Sequence, residues 1–250
     1  MNNPYFEMLD IIKSISSKMP EIIQDYSDNN KDQSLVSYYM LSHEIFKGLE
    51  LCATAIDIDA YTQIGTLLRQ LLEQIATLKL IGLNKNTLKE YNKFYDARLE
   101  YIKNKDSSTL QTLKNKSKLS NKKKGKDEVF ASFGWIESCG ATEISYDKLL
   151  ELADLKDFVK WRKFYNHFVH GHITILNYYV QYREYVINEF IYFFGIIMDE
   201  LMNSFRNITG FNFNFSKQLN RQVFEVVYID LHTQQQANHM EIIKKFGRKY

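Results

Sequence analysis

AYTQIGTLLRQLLEQIATLKLIGL, residues 60–83, places Ile64, Leu67, Leu68, Leu71, Leu72, Ile75, Leu78 and Ile81 at helical spacing. The steps of three and four residues put these side chains on one continuous apolar stripe, so the segment reads as an amphipathic helix that covers a core. Outward from it the pattern repeats. Residues 33–55 read as a preceding helix, with Asp57 or Asp59 available to cap the one that follows. Residues 88–103 read as a more polar helix carrying Tyr91, Phe94, Tyr95, Leu99 and Ile102. Nearer the start, Pro4 suits a first helical turn and Phe6, Leu9, Ile12 and Ile15 follow at helical spacing, with Pro20 expected to kink or restart the helix. Short connections favour an up-and-down bundle of these four.

Composition agrees with an all-α chain. Only 2 prolines and 10 glycines in 250 residues argue against many short strands joined by tight turns. Hydrophobic residues at 45% and charged residues at 25% are those of an ordinary globular protein large enough for a substantial core. The most apolar window, Phe190 to Met198, is bracketed by Glu189 and Asp199. That is far short of the ~20 residues a membrane helix needs. MNNPYFEMLD has neither the basic region nor the apolar stretch of a signal peptide, and Cys52 and Cys139 form no metal or disulfide pattern. The expected location is the cytoplasm, with no cofactor and no membrane partner.

Charge is uneven along the chain. KNKSKLSNKKKGK, residues 114–126, holds seven lysines and no acid, so a net charge of +2 leaves −5 on the rest. This run, with Lys122, Lys123, Lys124 and Lys126 at its centre, suits a phosphate backbone through counterion release, or is simply a solvated loop. It divides the chain into N-terminal helices (1–103), a Lys-rich flexible insertion or polar helical arm (104–127), further helices of the same bundle (128–206) and a C-terminal extension (207–250). Within the third part, Ser145 is a plausible cap for a helix over 145–153, a helix over 156–170 stops at Gly171, and a long aromatic helix spans 173–205. Aromatic residues around the whole circumference of that last helix point to a dimer interface. In the extension, FNFNF (211–215) alternates like a short extended piece.

The chemistry-bearing stretch is Arg162-Lys163-Phe164-Tyr165-Asn166-His167-Phe168-Val169-His170-Gly171-His172. Arg162, Asn166 and His170 are spaced by four and share one helix face. An imidazole able to take the proton of a 2′-hydroxyl, an amide to orient it and a guanidinium to hold phosphate suit metal-independent RNA cleavage. The competing reading is a satisfied polar patch in a bundle. His167 and His170 are also three apart, as two metal ligands would be, but no third ligand stands nearby in sequence. Arg69 and Glu73 edge the apolar stripe of residues 60–83. They read first as a semi-buried ion pair pinning the bundle, and second as groups leaning over the same cleft as His170.

Tyr165-Asn166-His167-Phe168-Val169-His170-Gly171-His172 resembles the signature segment of HEPN-type helical proteins, where Arg-Asn, a few residues, then His-Gly close a helix. Leu67-Leu68-Arg69-Gln70-Leu71-Leu72-Glu73 looks like the Arg-x-x-x-Glu helix of a HEPN-like bacterial family. The resemblance covers about residues 35–205. It implies a dimerising all-α bundle with the motif helices facing one another. It also implies a metal-independent RNase acting as a toxin or abortive-infection effector against phage, with an antitoxin or effector partner. Asn166 and His170 match the family's Asn and His, whereas the family's Arg position is Tyr165, with Arg162 one turn earlier. A second register runs from Arg162 to His167. The expected catalytic set is therefore His170, Arg162, Asn166, His167 and Tyr165, supported by Arg69 and Glu73. An inactive helical scaffold is the alternative.

Overall fold

The computed structural model describes residues 4–29, 32, 35–119 and 127–169, with helical residues scattered over 193–207. Every regular element among them is helical: α1 (Pro4–Asn29), α2 (Val36–Asp57), α3 (Tyr61–Leu83), α4 (Lys85–Asn104), α5 (Ser108–Lys116), α6 (Asp127–Phe133), α7 (Tyr146–Leu152) and α8 (Val159–Val169). Two 3₁₀ segments, Gly134–Cys139 and Lys156–Phe158, lead into the later helices. The all-α expectation is met. No described helix is long and apolar enough to cross a membrane.

Consecutive helices pack in the order α1 on α2, α2 on α3 and α3 on α4, after which α8 returns to lie against α3. Helix α3 is therefore central, and its stripe explains why: Ile64, Leu68, Leu71, Leu72, Ile75, Leu78 and Ile81 are all buried. Burial of side chains of this size contributes about 1.5–3 kcal/mol each before chain entropy is counted. Gly65 sets the spacing to α8, because a Cβ there would meet the Phe168 ring at 2.4 Å. On the far side of α4, Phe94 meets Phe130 edge-on with centroids 5.4 Å apart, and Tyr91 meets Trp135 at 5.4 Å. These contacts tie α4 to α6 and to the 3₁₀ turn.

Several local readings change. Pro20 does not restart α1, which runs through it as one helix. A proline forfeits one main-chain hydrogen bond, and Pro20 is buried, so packing outweighs that loss. Neither Asp57 nor Asp59 caps α3; the cap position is Ala60, without a side-chain bond. Asp57 instead forms an ion pair with Lys13 across to α1, and Asp59 turns the chain with a φ of 55°. Leu99 and Ile102 on α4 are exposed. Ser145 does cap α7, its hydroxyl accepting from the Lys148 N–H at 3.1 Å. Asn84 caps α4 in the same way, its side-chain oxygen accepting from the Thr87 N–H at 2.8 Å.

The first part of the Lys-rich region is helix α5, begun by Ser107, whose hydroxyl accepts from the Leu110 N–H at 3.0 Å. Its buried Leu110 anchors it. Residues 108–116 are thus a short helix, where a flexible insertion is the other expectation.

Candidate functional site

Helix α8 sorts its residues cleanly. Trp161, Tyr165 and Phe168 are buried, Arg162, Asn166 and His167 are half-buried, and Lys163 is exposed. Tyr165 is 0% exposed, ringed by Trp161 at 5.9 Å, Phe164 at 5.9 Å and Phe193 at 6.2 Å. Tyr165 is therefore part of the aromatic core. Arg162, three residues earlier, and Asn166 and His167, one and two residues later, carry the polar groups.

Arg162 reaches across to α3. Its Nε donates to Glu73 Oε1 at 2.9 Å, and its Nη1 lies 3.8 Å from Asp147 Oδ1 at the start of α7. The guanidinium carbon sits 4.1 Å from the centre of the Tyr146 ring, a cation–π contact. Tyr146 is held in turn by Phe133, 4.4 Å away and edge-on. Lys163 adds a second bond to Asp147 at 3.0 Å. Arg69, one turn before Glu73 on α3, approaches the same oxygen, Glu73 Oε1, at 3.6 Å. Two guanidiniums thus converge on one carboxylate oxygen. Arg69 Nε is buried and makes no hydrogen bond.

The expected ion pair between Arg69 and Glu73 is present but is the longer of Glu73's two contacts. The better one joins residues 89 apart in sequence and fastens α8 to α3. Side-chain exposure is 12% for Arg162, 21% for Glu73 and 23% for Arg69, so water screens the cluster only in part. Burial raises the pKa of Glu73, and the hydrogen bond and charge of Arg162, then the charge of Arg69, only partly offset it. Burial also raises the Tyr146 phenol, with Glu73 adding to the rise and Arg162, Arg69 and Arg98 opposing it. A half-buried carboxyl held above its ordinary range beside fixed cations can act as an acid or base, or can serve as an internal counter-ion.

His170 lies outside the described residues, as do Gly171, His172 and the lysines 122, 123, 124 and 126, so the polar line is seen only from Arg162 to Asn166. FNFNF and the extension from 208 lie outside them too. The first part of the lysine run is described: Lys114 pairs with Asp127, and the Lys118 N–H donates to Glu137 Oε1 at 2.9 Å. Among the described residues no three His, Cys, Asp or Glu side chains come together as metal ligands. Sequence reasoning missed Tyr146, Asp147, Lys163 and Arg98. Tyr146 and Asp147 directly follow the recognised cap Ser145, but nothing in their local pattern points to a guanidinium from another helix.

Comparison with protein-family models, with curated proteins and with solved structures gave no match to the chain.

Proposed function

We propose that the chain is a HEPN-like effector module that binds RNA and cleaves it without a metal, as a homodimer in a phage-defence or toxin–antitoxin setting. The observation that supports this most is the joining of the two motif helices, α3 and α8, through Arg162 and Glu73 at 2.9 Å. Residues recognised separately in sequence thereby share one polar cluster, with Asn166 and His167 on the next turn of α8. In this reading His170 takes the proton of the 2′-hydroxyl, with His167 as the other candidate. Arg162 stabilises the phosphate through its Nη groups while its Nε stays with Glu73. Asn166 orients the imidazole, and Lys122, Lys123, Lys124 and Lys126 collect RNA. Tyr165 contributes by packing behind these groups.

One observation favours a second reading, a non-catalytic interaction module: Arg162 is 12% exposed and already engaged by Glu73. Cleavage of short RNAs by the purified full chain in EDTA separates the two. His170→Ala and Asn166→Ala leave the Arg162–Glu73 contact alone and are compared with wild type and with Arg162→Ala, all monitored by circular dichroism. Loss of cleavage in folded His170→Ala, with 2′,3′-cyclic phosphate ends from wild type, is the expected result. Well-folded wild type that leaves varied RNAs intact would end the nuclease reading in favour of the module.

A further inference from the structure

Among the described residues, the cluster at the α3–α8 contact contains more fixed positive charge than facing carboxylate charge. Arg69, Arg162 and Lys163 face Glu73 and Asp147, and both guanidiniums are directed at a single oxygen of Glu73. Arg98 on α4 adds a further positive charge to the surroundings of Tyr146. A buried N–H of a guanidinium is a strong donor that costs free energy when it has no acceptor. Arg69 Nε is in that condition: shielded from solvent, 3.6 Å from its nearest carboxylate oxygen and without a hydrogen bond. The Tyr146 ring forms one wall, Arg162 lies against it at 4.1 Å, and Phe133 braces it. The cluster is thus preorganised by packing.

We propose that Arg69, Arg162 and Tyr146 form a phosphate-binding site, with the part-exposed guanidinium of Arg69 as its principal donor and Glu73 as the internal anion with which the phosphate competes. The site rests on the nucleic-acid reading above and names Arg69, on α3, as the residue that holds the phosphate there. A tetrahedral oxyanion offers several acceptors, so it can satisfy Arg69 without taking the Nε bond of Arg162 away from Glu73. The shared chemistry is a phosphate group, from a nucleotide end or from an RNA backbone.

The test is thermal unfolding of the full chain titrated with inorganic phosphate, against sodium chloride at matched ionic strength. The expected result is a saturable rise in Tm with phosphate beyond that with chloride. Arg69→Gln is expected to weaken the apparent affinity at least about tenfold, as loss of a charge-assisted donor should. Glu73→Gln, which removes the competing charge, is expected to tighten it, whereas Lys85→Gln on the exposed start of α4 leaves it unchanged. Adenosine 5′-monophosphate and an RNA oligomer with hydroxyl ends are then titrated separately. Binding of the first alone assigns the site to terminal phosphates, and binding of the second assigns it to the backbone. A phosphate response no larger than that of chloride, or one that Arg69→Gln and Glu73→Gln both leave unaltered, overturns the site. Phosphate binding without RNA cleavage would retain the site and end the nuclease reading. Undiminished cleavage in Arg69→Gln with no phosphate response would do the reverse.

Discussion

Breaking the Arg162–Glu73 pair from its two ends is expected to have unequal consequences. Glu73→Gln keeps the volume and leaves an amide oxygen for the Arg162 Nε–H, now 2.9 Å from Oε1. What it removes is a carboxylate whose pKa burial has raised, so its ionised form is less favourable folded than unfolded. Such a group contributes stability that is complete below the unfolded pKa and lost as pH rises through the folded pKa. At pH 7 the substitution therefore discards an ionisation that costs folding, at the expense of a Coulombic attraction, and the net change is within about 1 kcal/mol of zero. Arg162→Met is different. It forfeits the cation–π contact with Tyr146 at 4.1 Å, about 1 kcal/mol, and leaves Glu73 half-buried with only Arg69 at 3.6 Å. Uncompensated charge at an intermediate depth adds about 1–2 kcal/mol, between the surface and buried extremes, for a total of about 2–3 kcal/mol. Urea unfolding at pH 7, with unchanged m-values, measures both. As pH falls from 7 toward the ordinary carboxylate range, wild type should gain stability relative to Glu73→Gln. Equal losses of about 2 kcal/mol in both variants, or a difference that moves the opposite way with pH, would refute the reasoning.

Two further outcomes test the packing on which the site depends. Gly65→Ala sets a methyl 2.4 Å from the Phe168 ring and should cost about 1–3 kcal/mol through overpacking at the α3–α8 contact, seen as a fall in Tm. Lys105 ends α4 with a φ of 54°, its N–H donating to the Tyr101 carbonyl at 2.8 Å, so Lys105→Gly should raise stability by up to about 1 kcal/mol in the same urea titration.

The difference between what the sequence discloses and what it hides follows the range of the interactions. The stripe of α3 is a local periodicity, and burial of Ile64 through Ile81 follows from it directly. The same holds for Ser145, whose cap needs only the N–H three residues on. Pro20 shows the limit of a local rule, because helix continuity there is decided by what packs around it. Leu99 and Ile102 show another: helical spacing marks a face as apolar, yet only tertiary packing decides whether that face is covered.

The candidate site lies at the far end of this scale. Arg69 and Glu73 are legible as a pair because both lie on one helix, whereas the shorter contact of Glu73 comes from Arg162, 89 residues away. Three local facts combine to produce it. Gly65 lets α8 approach α3 closely, Phe168 and Tyr165 fix the rotation of α8 by burying their rings, and Ser145 starts α7 where Tyr146 and Asp147 can meet the guanidinium. Once the aromatic face of α8 is committed to the core, Arg162 is carried to the rim, where Glu73 is the nearest counter-charge. Fold and site are thus one packing problem, and an Arg69 Nε left without a hydrogen bond is what remains when two arginines are brought to a single carboxylate oxygen.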